Sequence, residues 1–180
     1  MDARELNIKG VWLFTPQVFS DDRGSFFESF RDDVFREKVG PVDFVQENQS
    51  ISAKNVIRGL HFQAKPHQQG KLVRVVQGKA LDIIVDLRPE SPDFGKHISV
   101  ELSDENNRQL WVPPGFAHGF ASLSENMIFC YKCSAYYHQA SDRVLLYNDS
   151  DLAIHWPIQN PILSQKDRNG IAFSSIKNYL

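Results

Sequence analysis

The sequence predicts an all-β fold, a sandwich or jelly-roll barrel with a few short helices, and three observations carry that reading. Short runs rich in Val, Ile, Phe and Tyr recur between turn signals at Ser20-Asp21-Asp22-Arg23-Gly24, Pro89-Glu90-Ser91-Pro92 and Pro113-Pro114-Gly115. Where the pattern is clearest it has period two, with Leu81, Ile83, Val85 and Leu87 alternating with Asp82, Ile84, Asp86 and Arg88. Helical signals are scarce. Many short strands at this spacing suit a two-sheet or closed β architecture.

Taken in chain order, strands are expected at 10–15 and 25–30, on either side of the Ser20–Gly24 turn signal. A helix follows over 32–38, because Asp32 and Asp33 come first and Arg36 and Lys38 last, the order that the helix dipole favours. Further strands are expected at 43–46, 50–53 and 57–63, the last carrying a glycine that tolerates a bulge. The run 71–76 leads through Gln77-Gly78-Lys79 into the alternating run 81–87, which has a mostly polar opposite face. Strands at 96–102, 109–112, 117–122 and 127–135 complete the set. A second short helix fits 164–169, where Ser164-Gln165-Lys166-Asp167 resembles a capping box with Ser164 as N-cap.

No linker, internal repeat or low-complexity segment divides the chain, so one domain is expected over 1–180: a β core at about 10–135, with segment 136–180 packed on it. A chain of 180 residues can bury roughly 70% of its unfolded surface. A net charge of −2 supplies no basic field for nucleic acid or an anionic membrane. The start, Met1-Asp2-Ala3-Arg4-Glu5-Leu6, has no apolar signal region, and no run reaches membrane-spanning length, so a cytoplasmic protein is expected. In that compartment Asn48-Gln49-Ser50 and Asn148-Asp149-Ser150 match the glycosylation pattern by chance. Cys130 and Cys133 spell C-x-x-C in a strand, where residues three apart point to opposite faces, so two unlinked thiols are expected.

Chemistry concentrates in Arg58-Gly59-Leu60-His61-Phe62-Gln63 and in Lys71, ten positions after the histidine. Charged groups pointing into a barrel are costly without a purpose. Strict alternation sets Arg58 and His61 on opposite faces, so either a bulge at Gly59 realigns them or only one faces the interior. Phe116, His118 and Phe120 share one face opposite the smooth Ala117-Gly119-Ala121 face, and His118 fits equally a hydrogen-bonded core histidine or a group aimed into an aromatic pocket. Tyr131 shares a face with Phe129 and Cys133. Lys71 and Arg74 also fit solvated strand positions. The six histidines are dispersed with no H-x-H pair, so no metal is expected. No G-x-G-x-x-G or P-loop is present, so no bound nicotinamide and no cofactor is expected.

These blocks, in order, resemble the dTDP-4-dehydrorhamnose 3,5-epimerase family. The resemblance runs through Gln46–Ser50, Arg58–Gln63, Gly70–Arg74, Val85–Arg88, Ser91-Pro92, Pro114–Phe120, Tyr131-Lys132, Trp156-Pro157 and Ser164-x-x-Asp167, from about residue 19 to 168. It implies a metal-free, cupin-like jelly roll, usually a homodimer, acting on a dTDP-linked 4-keto-6-deoxy sugar. It implies His61 as base, Asp167 as the carboxylate that orients it, Tyr131 as proton donor on the other face, and Lys71 beside the C4 oxygen. His118 matches a sugar contact. Arg23 and Arg58 match diphosphate contacts, while Phe26, Glu28, Gln46, Asn48 and Tyr137 match residues of the nucleoside region, with Arg23–Glu28 supplied by the partner subunit. Lys166 matches a further substrate contact. The family commonly has a Pro-Glu-type segment after its paired tyrosines. Here Tyr136-Tyr137 run into His138-Gln139-Ala140-Ser141-Asp142, and Asp142 stands where a longer carboxylate is usual. The implied activity inverts C3 and C5. A single-centre epimerase and a non-catalytic sugar-nucleotide-binding cupin are the alternatives.

Overall fold

The computed structural model describes residues 1–180 and is built largely from antiparallel strands. Strands β1 (Asp2–Glu5) and β2 (Trp12–Thr15) precede a hairpin of β3 (Val18–Asp21) and β4 (Gly24–Phe27), then helix α1 (Asp32–Val39). The body comprises β5 (Gln46–Ser52), β6 (Ile57–Gln63), β7 (Lys71–Gln77), β8 (Lys79–Asp86), β9 (His97–Ser103), β10 (Gln109–Val112), β11 (Phe116–Ser122) and β12 (Met127–Cys133). The C-terminal segment adds β13 (Asp142–Val144), α2 (Gln165–Arg168) and two short 3-10 turns.

A six-stranded sheet has the order β1-β2-β10-β7-β12-β5, and a five-stranded sheet has the order β13-β6-β11-β8-β9. Val73, Leu110 and Phe129 of the first share one buried cluster with Ile84, Phe116 and Phe120 of the second, so the sheets pack face to face. Phe120 and Phe129 stack across this interior with ring centroids 4.2 Å apart. Burying such rings is the main stabilising term, about 1.5–3 kcal/mol for each large apolar side chain.

Both outer faces are covered. Phe35 of α1 packs on Phe14, Leu72 and Trp111 outside the six-stranded sheet. Leu145, Leu152 and Ile176 of the C-terminal segment pack on Leu60, Ile83 and Val85 outside the five-stranded sheet. This covering decides which side of the 81–87 alternation is interior. Ile83, Val85 and Leu87 lie under the C-terminal segment, while Asp82, Ile84 and Asp86 turn into the barrel, where both carboxylates are fully buried. The polar side of that alternation is therefore an interior side.

Several boundaries move. The expected strand 43–46 is not formed, residues 43–45 lying outside any strand, and 50–53 is the end of a longer strand, β5, whose sequence Gln-Glu-Asn-Gln-Ser-Ile-Ser lacks an apolar face because it borders a polar cavity. Strands β1, β3 and β13 were not expected; β1 and β3 are mostly or wholly exposed, and β13 is only three residues. The expected helices at 32–38 and 164–169 correspond to α1 and α2.

Strand β6 carries the bulge that the sequence allowed. His61 pairs with His118 and Arg58 with Phe120, three residues on β6 against two on β11. Gly59 adopts φ +128°, and a Cβ there would meet Gly119 Cα at 2.6 Å. A Cβ on Gly119 would meet Arg58 O at the same distance, so the two glycines let the backbones interlock.

Candidate active site

The bulge places Arg58 and His61 on one wall, since both border the same interior cavity. Two cavities adjoin there. The outer, about 360 Å³, is bordered by His61, Lys71, Tyr131 and, toward its mouth, Gln46, Asn48 and Tyr137. The inner, about 180 Å³, is bordered by His61, Lys71 and Tyr131 again, together with Arg58, Ser50 and His118. His61 and His118 stand on the five-stranded sheet; Lys71 and Tyr131 stand on the six-stranded sheet. Basic and hydroxylic groups thus confront each other across the gap between sheets.

His61 Nε2 lies 2.6 Å from Asp167 Oδ1. A carboxylate accepts only, so Nε2 carries the proton and Nδ1 is left as the basic nitrogen. The histidine side chain is 37% exposed and the aspartate 5%. Asp167 also satisfies the capping reading: its N–H donates to Ser164 Oγ at 3.1 Å. Capping uses the main chain and leaves the carboxylate for His61. Burial alone would raise the Asp167 carboxyl, yet the bonds from His61, Ser164 and the Gly59 N–H hold it below the ordinary carboxylate value.

Lys71 opens β7 with its side chain on the face of Val73 and Val75, while Arg74 takes the other face. Its ammonium lies 6.0 Å from the Tyr131 ring centroid. Burial lowers its pKa, against the opposing pull of Cys133, Asp142 and Asp82. Burial likewise raises the Tyr131 hydroxyl, partly countered by Asn48 and Arg58. At neutral pH the tyrosine is therefore a protonated donor. Cys130 and Cys133 are both free and face opposite sides of β12, bonding Gln49 and Asn48 respectively.

The mouth is a polar network. Gln46 Oε1 accepts from the Tyr137 N–H at 2.9 Å, and the Tyr137 hydroxyl donates to Asp142 at 2.8 Å. Lys166 donates to the same Asp142 oxygen. Arg58 reaches across to β5, its Nε donating to Ser52 Oγ at 3.1 Å. Of the residues singled out in the sequence, His61, Tyr131, Lys71, Gln46, Asn48, Arg58, His118, Tyr137, Asp142 and Lys166 border these two cavities, and Asp167 joins them through His61.

Arg23, Phe26 and Glu28 do not border them. Arg23 and Phe26 sit on the β3–β4 hairpin, which pairs with neither main sheet; Glu28 follows it. Arg23 is held by Asp21 at 2.5 Å. Phe26 is 72% exposed and Phe19, its cross-strand partner, 55%. Sequence reasoning missed Gln69 and Ser50 on the cavity walls and Asp82 behind His118. Only the inward parity of Asp82 with Ile84 could have flagged it. No group of three or more His, Cys, Asp or Glu side chains is arranged to hold a metal ion. No helix is long and apolar enough to cross a membrane.

Fold and site together define the class, a jelly-roll isomerase of the acid–base type. The profile of the family described as dTDP-4-dehydrorhamnose 3,5-epimerase matches residues 5–175. The dTDP-4-dehydrorhamnose 3,5-epimerase of Shigella flexneri is 51% identical over 174 residues, covering 96% of each chain. That of Pseudomonas aeruginosa is 51% identical over 176 residues, covering 97% of each. The crystal structure of the Legionella pneumophila enzyme in complex with dTDP-4-keto-L-rhamnose superposes with a TM-score of 0.93 at 43% identity, covering 97% of this chain and 94% of that one. The chain belongs to the dTDP-4-dehydrorhamnose 3,5-epimerase family, and its barrel is the cupin-like jelly roll that the resemblance implied.

Proposed function

We propose that this protein inverts C3 and C5 of dTDP-4-dehydro-6-deoxy-D-glucose, giving dTDP-4-dehydro-L-rhamnose. The observation that carries the reading is the confrontation of His61 on one sheet with Tyr131 and Lys71 on the other across one cavity. The C4 ketone acidifies the hydrogens at C3 and C5, because loss of either gives an enolate. His61, oriented by Asp167, removes the proton through Nδ1. The Lys71 ammonium meets the oxyanion at C4, where a buried cation is worth far more than in water. Tyr131 returns a proton from the opposite side, and the centre inverts. One C–H bond breaks and one forms at each carbon; His61 releases its proton to solvent and Tyr131 regains one. Nothing is oxidised or reduced.

In this reading His118 contacts the sugar, and Arg58 contacts the diphosphate through the planar fork that guanidinium offers. Gln46, Asn48, Tyr137, Asp142 and Lys166 hold the nucleoside end. The hairpin with Arg23 and Phe26, followed by Glu28, reaches the site of a second subunit in a homodimer. Its exposed Phe19 and Phe26 support that assignment, since an isolated two-stranded ribbon with an apolar face is marginal in water.

The direct test follows H3 and H5 of the substrate by NMR in deuterium oxide. Wash-in at both carbons is the expected result. Wash-in at one carbon alone would replace the assignment by a single-centre epimerase. No exchange by folded protein that binds dTDP would remove the catalytic reading altogether. Tyr131→Phe should lower turnover by about 10²–10⁴-fold with dTDP affinity retained.

A further inference from the structure

The most anomalous buried group outside the machinery described above is Asp82. Its side chain is fully buried on the inward face of β8, a costly location for an uncompensated carboxylate. One oxygen, Oδ2, lies 2.8 Å from His118 Nε2; the other, Oδ1, has no hydrogen-bond partner. The pair is set by register. His118 stands opposite Ile84 and Phe120 opposite Asp82, so Asp82 and His118 are diagonal neighbours on one face of adjacent strands. Aromatic packing completes the cage, with Phe129 6.0 Å from the His118 ring and Phe120 stacked behind it.

Because Nε2 is committed to Asp82, Nδ1 is the one polar atom of His118 without a partner in the chain, and His118 borders the inner cavity together with Lys71. We propose that Asp82 is a positioning residue for the enolisation step: it accepts from His118 Nε2–H, which fixes the ring with Nδ1 toward the sugar, and its negative charge favours a second proton on Nδ1, taken from solvent before the sugar binds and donated as a hydrogen bond to the oxyanion as it forms. The enolate then meets two cationic donors, Lys71 Nζ from one sheet and His118 from the other. Asp82 also belongs to the carboxylates that support Lys71 against its burial, beside Asp142. The other charged or titratable groups around this space are His61, Arg58 and Tyr131. The inference rests on the epimerase reading above and names what holds its electrostatics in place.

Asp82→Asn tests it, because the amide keeps the size of the carboxylate and an acceptor oxygen but removes the charge. Turnover should fall by about 10- to 100-fold, somewhat less than the 10²–10³-fold lost with an oxyanion donor, while KM and dTDP affinity stay within about two-fold. The ring-nitrogen NMR signals of His118 should shift, since its Nε2–H no longer meets an anion. In a His118→Gln background the same Asp82→Asn change should cost nothing further, because the carboxylate acts through the ring. Full turnover in folded Asp82→Asn, or losses that simply multiply in the double variant, would overturn the proposal. If Asp82→Asn does not fold, Asp82→Glu with the same His118 spectrum and kinetics decides the matter. Wild-type protein that exchanges neither H3 nor H5 would instead sink the epimerase reading, and the two failures cannot be confused.

Discussion

Two histidine–carboxylate pairs stand side by side in this barrel, His61–Asp167 and His118–Asp82, with the two histidines directly opposed in register. Their chemistry on paper is the same and their surroundings are not. The His61 side chain is 37% exposed and its carboxylate arrives from a four-residue helix in the C-terminal segment. The His118 side chain is 8% exposed and its carboxylate is fixed on the neighbouring strand. A base must surrender each proton it takes, so it belongs at the edge of solvent. A donor that only has to stabilise charge works best sealed, where each interaction is stronger. In the proposed reaction, location rather than residue type divides the labour.

The largest expected effect comes from removing the exposed partner. His61→Ala should lower deuterium wash-in at C3 and C5 by about 10³–10⁴-fold, and added imidazole should restore part of it. Wild-type-like exchange in that folded variant would cancel the division. His118→Ala should cost less, about 10²-fold, because it removes one donor to the oxyanion and leaves the base in place. Equal losses in the two variants would mean that the two histidines are equivalent.

A smaller effect lies in the alkaline range. Burial lowers Lys71 and raises Tyr131, which brings loss of the cation to lower pH and loss of the donor proton to higher pH. The alkaline limb of kcat/KM should then fall below the ordinary lysine value of 10.5 and move upward in Lys71→Arg. A limb unmoved by that change would assign it to another group.

The smallest effect concerns acid stability. The Asp167 carboxyl is held below its ordinary 3.8, so its contribution is present above that value and is lost as pH falls toward the folded one. Asp167→Asn should therefore flatten the loss of thermal stability below about pH 3.8, read from the unfolding midpoint. An unchanged acid slope would separate the carboxylate from folding and leave it only its catalytic part.

Legibility followed how each segment is buried. Strands β6, β7, β8, β10, β11 and β12 were readable because each presents apolar residues to one interior or another. Strand β1 was not, because Asp2-Ala3-Arg4-Glu5 is mostly exposed and holds its place by pairing with β2. Strand β5 misled for the opposite reason, since its inward face is polar where it borders the two cavities. His61, Lys71 and Tyr131 stand out locally as charge or hydroxyl in otherwise apolar strands, but only the family resemblance gave them roles. Asp82 was hidden in an alternation that reads as an ordinary solvent face, and only the C-terminal cover over Ile83 and Val85 reverses its meaning. The meeting of Asp167 with His61 spans 106 positions, a distance no local pattern can carry.

The extra residue in β6 works as a change of phase. Upstream of Gly59 the strand points one parity of side chain inward; downstream it points the other. The guanidinium and the imidazole share a wall only because of that half-step. Substitutions in this stretch can tune the site, but a one-residue deletion would turn either Arg58 or His61 out of the barrel while leaving every side chain in the segment chemically intact. The length of this strand is thus as much a part of the active site as any residue in it.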